Sequence, residues 1–213
     1  VAVEPVLRLN KNLFIIYMVR DPRDIIVSKH GLNKEQYWCG LRSWKLYTPY
    51  ADRMLGHKRF ITIKYEDLVN RPNDVQTEIL EKIEGLNLVK SFADYNGGND
   101  VSEQSKQAMR NKRRISASSI GNWKQHLPRV KQQLKVHGTI SQELIKYGYE
   151  TDNNWEMELE SAPEIDFESH LPEHYSKKEL KKLLRLRSIR AFYFKLFHFN
   201  PIIRIMSFFL KSQ

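Results

Sequence analysis

An α/β fold built on a parallel sheet is predicted from three features: an apolar run that passes straight into a helix start, a second short β-branched run, and helix-patterned segments after both. Residues 13–19, Leu-Phe-Ile-Ile-Tyr-Met-Val, have the length and the β-branched, aromatic character of a strand covered on both faces. Arg20 emerges at the carboxyl end of that strand. Asp21 can then cap a helix, Pro22 takes the first helical position where its missing N–H costs nothing, and Asp24 completes a capping box three residues after the cap. Ser28 lies seven residues after the cap, two turns on, and is expected on the same side of the helix as Asp21. Residues 34–55 carry Tyr37, Leu41, Trp44 and Tyr47/Thr48 at helical spacing, an aromatic stripe read as core. Residues 60–64 form the second strand, and residues 72–83 a helix with Val75, Ile79, Leu80 and Ile83 apolar and Gly85 as its C-cap. Residues 95–119, rich in Asn, Gly, Ser, Lys and Arg, read as a mobile loop. Helices over 120–126, 128–137 and 141–147, separated by Pro128 and Gly138, are expected to pack back on the sheet.

Composition bounds the function. A chain of 213 residues buries one substantial core, so one domain with an appendage is expected. The single cysteine, Cys39, excludes an intramolecular disulfide framework, no Asn-x-Ser/Thr sequon occurs, and no cleavable signal peptide opens the chain, which starts at Val1. These features point to a reducing compartment and a cytoplasmic location, and the initial Val to a native start further upstream. The net charge of +10 suggests a nucleic-acid binder until it is mapped: of 35 basic and 25 acidic residues, ten basic and one acidic fall in 176–213, which leaves 25 and 24 in the rest. A neutral body without a reader motif argues against nucleic acid.

Arg20 and Ser28 are the residues that local structure leaves unexplained. Ligands of open α/β sheets bind outside the carboxyl ends of the strands, where a guanidinium fork offers bidentate geometry to a phosphate. A fork and a hydroxyl there would converge on one anion; the alternative is an Arg20 paired with an acid and a Ser28 facing solvent.

Arg20-Asp-Pro-Arg-Asp24 followed by Ser28 resembles the 3′-phosphate-binding segment of sulfotransferases that use 3′-phosphoadenosine-5′-phosphosulfate (PAPS). Phe60-Ile-Thr-Ile-Lys-Tyr65-Glu66-Asp67-Leu68 with Arg71-Pro72 resembles the family's second strand and Tyr-Glu-Asp-Leu segment. Arg113-Arg114-Ile-Ser116-Ala-Ser-Ser119-Ile-Gly121-Asn-Trp123-Lys124 resembles its late cofactor-closing loop. Three such segments in order are a specific pattern, covering about residues 5–150. The likeness is strongest to the bacterial-type branch. It implies a P-loop-NTPase-like parallel sheet flanked by helices, PAPS as co-substrate with no metal, and sulfuryl transfer to a hydroxyl or amine of a small-molecule, carbohydrate or lipid-linked acceptor. Arg20 and Ser28 would hold the 3′-phosphate and Tyr65 would contact the adenine, its other role being to close the strand end. Arg113 or Arg114, Ser116, Ser119 and Gly121 would supply charge and N–H groups over the nucleotide, with Trp123 as the loop's packing anchor.

The chain departs from the family pattern at the other half of the site. The Gly-rich loop that cradles the 5′-phosphosulfate precedes the Arg-Asp-Pro-Arg segment in the family, whereas nineteen residues stand before Arg20 here and none of the nine glycines precedes a Lys-Ser or Lys-Thr pair. The family's acceptor base, a His or Glu, lies in that same upstream portion. The expectation is therefore a carboxyl-terminal part of a sulfotransferase, with the amino-terminal portion of the fold missing and no catalytic residue assigned. His30, next to Gly31, is expected to sit at a helix C-terminus rather than to act as a base. The other histidines show no metal-ligand spacing, and Cys39 reads as a small buried hydrophobe.

The predicted organisation is a sulfotransferase-like domain over 1–155, an acidic linker over 156–175 and a basic tail over 176–213. In the tail, Lys and Arg alternate with Leu180, Leu183, Leu184, Leu186 and Ile189, and a Phe- and Ile-rich run follows that Lys195, His198, Asn200, Pro201 and Arg204 interrupt. That run falls short of the ~20 predominantly apolar residues of a span, and fits an amphipathic segment on an anionic membrane at its inner face. A helix closing the core or a dimer interface is the other reading of the tail. A non-catalytic peripheral membrane module that retains the fold is the second function class.

Overall fold

The computed structural model describes residues 3–94 and 116–173, with separate positions between 178 and 192. The chain divides into two units, Val1–Glu173 and His174–Gln213. In the second, the positions described are helical and exposed, among them Leu186, Ile189 and Phe192; most of the predicted tail lies outside the described residues. Among the described residues no helix is long and apolar enough to cross a membrane.

The body is a mixture of helices and strands around a two-stranded parallel sheet. Helix α1 (Val3–Leu9) leads into β1 (Ile15–Val19), followed by α2 (Pro22–Ile26), α3 (Leu41–Asp52), β2 (Phe60–Lys64), α4 (Tyr65–Asn70) and α5 (Pro72–Lys82). After residue 116 come a 3-10 turn (Asn122–Gln125), α6 (Leu127–His137), α7 (Ser141–Lys146) and a second 3-10 turn (Asn154–Leu159). Strands β1 and β2 run in register from Ile15 opposite Phe60 to Val19 opposite Lys64. The connection between parallel neighbours must cross over the sheet, and α3 lies on that crossover.

Both faces of β2 are packed, one by Val75 and Ile79 of α5 against Ile61 and Ile63, the other by Leu7, Ala51 and Met54 around Phe60. Strand β1 is covered on one face only. Ile15 and Tyr17 join the Leu7 cluster, whereas Ile16 and Met18 stand exposed beside their buried partners Ile61 and Ile63. The apolar run was expected to be covered on both faces; α5 reaches over β2 but leaves that face of β1 open.

Further corrections follow from long-range contacts. The helix expected over 34–55 begins at Leu41, because Tyr37 is held in isolated bridges to Lys29 and Ser169. The stripe itself is core: Tyr37, Leu41, Trp44 and Thr48 are buried, and Tyr47 faces out. The helix expected over 120–126 is the short 3-10 turn, entered through Gly121 at φ 71°, a left-handed conformation that favours glycine. The predicted linker is built into the body as far as Glu173: Leu159 and Ala162 are buried, and Glu173 accepts from Arg129 (3.1 Å) and Gln133 (2.7 Å).

Candidate functional site

The register of the sheet sets the site. With Val19 opposite Lys64, the next residues, Arg20 and Tyr65, leave the carboxyl ends of adjacent parallel strands side by side. The Arg20 guanidinium lies over the Tyr65 ring, 4.5 Å from its centroid. Its Nη2 donates to the Ser119 carbonyl at 2.8 Å, and the Tyr65 hydroxyl shares a 2.9 Å hydrogen bond with Ser119 Oγ. Arg20 Nε is buried and has no hydrogen-bond partner, and Arg20 pairs with no carboxylate among the described residues.

The neighbouring acids are committed elsewhere. Asp21 caps α2 by accepting from Arg23 N at 2.8 Å, and both its oxygens accept from the Arg23 guanidinium. Arg23 also reaches Glu150 at 2.5 Å and lies over the rings of Trp123 and Trp155, 4.1 and 4.8 Å from their centroids, in the corner these two perpendicular indoles make. Burial lowers its affinity for a proton, but Asp21 and Glu150 more than restore it, so the buried guanidinium stays charged. The capping box from Asp24 does not form. Glu66 Oε1 accepts from Asp21 N (3.1 Å) in its place, while Glu66 Oε2 accepts from Tyr149 Oη (3.0 Å). Burial pushes the Tyr149 hydroxyl up, and the Glu66 carboxylate pushes it further, so it remains a donor.

Asp24 turns to the late loop. Its buried carboxylate accepts from Gly121 N at 2.8 Å and Trp123 N at 2.9 Å. Burial raises its pKa, and the two backbone bonds work against that rise. The segments around Arg20, Tyr65 and Trp123 are thereby joined at three places: Arg20–Tyr65–Ser119, Asp21–Glu66 and Asp24–Gly121/Trp123.

Of the site residues expected from sequence, the structure brings Arg20, Tyr65 and Ser119 together. Helix α2 ends at Ile26, two residues before Ser28, whose hydroxyl donates to the Asp24 carbonyl at 2.9 Å and whose carbonyl accepts from Trp38 N. Gly121 gives its N–H to Asp24. Ser116 is exposed, and its hydroxyl bonds within its own turn to Ser118. Arg113 and Arg114, with most of the predicted mobile loop, lie outside the described residues. His30 is not at a helix end: its ring stacks on Trp38 and lies tilted against His170, which itself stacks on Trp38, and its Nδ1 accepts from Asn33 N. Cys39 is buried, which raises its thiol pKa. Among the described residues no group of three or more His, Cys, Asp and Glu side chains is placed to hold a metal. Sequence reading passed over Arg23, Glu66 and Tyr149, because each matters through partners distant in the chain. The chain matches no protein-family model, no curated protein and no solved structure.

Proposed function

We propose that this chain belongs with the PAPS-dependent sulfotransferases and that Arg20, Tyr65 and Ser119 form the 3′-phosphate and adenine half of a donor site on a P-loop-like sheet. One observation carries the reading: at the carboxyl ends of two parallel strands, Arg20 keeps a buried N–H with no partner, and forms no close ion pair, among the described residues, over an aromatic ring. A dianionic phosphate supplies what that guanidinium lacks, and the ring offers a face to a base. Asp24, with Ser28 behind it, acts as a positioning residue by fastening the loop that carries Ser119. In the reaction, the bond between sulfur and the donor's 5′-phosphate oxygen breaks as a bond from sulfur to an acceptor hydroxyl or amine forms. The residues named here hold the donor and are not chemical catalysts. The setting proposed is the cytoplasm, at the inner face of a membrane.

Calorimetric titration of adenosine 3′,5′-bisphosphate, with AMP as control, tests the proposal. The full chain should bind the bisphosphate selectively, and Arg20→Ala should weaken binding by about 10- to 100-fold, the loss of a charged hydrogen-bond partner. A folded chain that binds neither nucleotide, or both equally, refutes it.

A further inference from the structure

We propose that the body carries an anionic-membrane docking face at the amino ends of its strands, opposite the Arg20 site. A groove of about 920 Å³ opens there, lined by Lys11, Lys58, Arg59, Lys82, Glu84 and Leu86 among others. Lys11 precedes β1, Lys58 and Arg59 precede β2, and Lys82 ends α5. The lysines are exposed and form no ion pair among the described residues. Among the described residues Arg59 donates to the carbonyls of Leu7, Asn10 and Leu13 and forms no ion pair. Four cations thus face one carboxylate, Glu84.

Leu86, itself exposed, lines the same groove, and the exposed Leu88 and Val89 follow it two and three residues on. After α5 the chain passes through Gly85, at φ 83°, into Leu86-Asn-Leu88-Val89-Lys90. Leu88 is 62 % exposed and Val89 96 % exposed. The loop is fastened at both feet. Ile83 N donates to Ile79 O, and the buried Gln76 donates to the Lys90 carbonyl at 2.7 Å and accepts from Phe92 N at 2.9 Å. Exposed aliphatic side chains thus sit on a short segment tied at both ends to α5.

Unpaired lysines alone would attract any polyanion. The aliphatic loop decides between them: a soluble polymer would leave Leu88 and Val89 in water, whereas a bilayer offers anionic headgroups to the lysines and an acyl boundary to the loop. Docking in this way turns the Arg20 end of the sheet away from the membrane.

The test uses the full chain with an environment-sensitive fluorophore on Val89→Cys; the buried Cys39 is protected from the label. Thr151→Cys, exposed beside the Arg23 partner Glu150, is the control. With vesicles of phosphatidylserine and phosphatidylcholine, the label at 89 should shift to the blue and be quenched by brominated lipid, and the label at 151 should not change. Phosphatidylcholine alone should give neither effect. Lys58→Glu with Lys82→Glu should lower the vesicle-bound fraction at least about tenfold. The labelled chain carries no charge reversal, so a folding defect in that double variant leaves the insertion measurement intact. A chain that stays off the vesicles, one that binds while the label at 89 remains in water, or one in which both labels shift alike overturns the proposal.

Discussion

Arg20 and Arg23 stand three residues apart in sequence and have opposite fates. Arg23 is buried with Asp21 and Glu150 on its fork and in the corner of two perpendicular indoles; Arg20 has a ring and one carbonyl. Removing Arg23 leaves two carboxylates without their cation in a desolvated place, so Arg23→Ala should cost about 3–5 kcal/mol in urea unfolding. Arg20→Ala removes a single hydrogen bond to Ser119 and should cost about 1 kcal/mol, while reducing nucleotide affinity. A reversed order would mean that Arg20 is structural. The sequence allowed the Asp21 cap, Pro22 and the emergence of Arg20 to be read, because these follow from neighbours along the chain. It did not show which arginine would be neutralised, since that depends on Glu150, Trp123 and Trp155.

At the scale of elements, local rules gave way where a distant partner offered more. A capping box would have used Asp24 on its own helix, but the carboxylate serves two N–H groups of the late loop, and Glu66 takes the vacated position at Asp21 N. The acidic stretch after residue 156 reads as a linker by charge, yet its end is a clamp. Glu173 faces the fully buried Arg129, His137, Gln133 and Ser169, and Arg129 also donates to the carbonyls of Ile26, Cys39 and Phe167. Burial raises the Glu173 pKa, but bonds from Ser169, Gln133 and His137 and the charge of Arg129 outweigh it and hold the group at about 2. Burial lowers the Arg129 value, yet from 12.5, so the guanidinium stays charged in acid and the response belongs to Glu173. The stabilisation is complete above the ordinary value of 4.5 and is lost as pH falls toward about 2. Urea midpoints followed by tryptophan emission should fall across that window, and Glu173→Gln should flatten this part of the profile. An unchanged acid limb in the variant would place the sensitivity elsewhere.

On the scale of the whole molecule, the sheet is asymmetric. Ile16 and Ile61 are register partners, one exposed and one buried under α5. Ile61→Ala should cost about 2–5 kcal/mol, whereas Ile16→Lys with Met18→Lys should change stability by about 0.5 kcal/mol or less. Equal losses in denaturant titrations would show that the open face of β1 is covered in solution. Existence and order of both strands were legible because β-branched runs announce themselves. The coverage of each face was not, since it depends on where a helix lands rather than on what the strand contains.

The separations within the site also set a sequence of events in folding. Tyr65 and Ser119 lie 54 positions apart, and Arg20 and Ser119 99 apart. Closing such loops is slow and is rewarded only once both ends have met. During synthesis the two strands can pair while residue 119 is still to be made, so an emerging chain would have its sheet before Arg20 and Tyr65 had met Ser119. The nucleotide site proposed above would then be completed late and abruptly, with the docking of one loop onto Asp24.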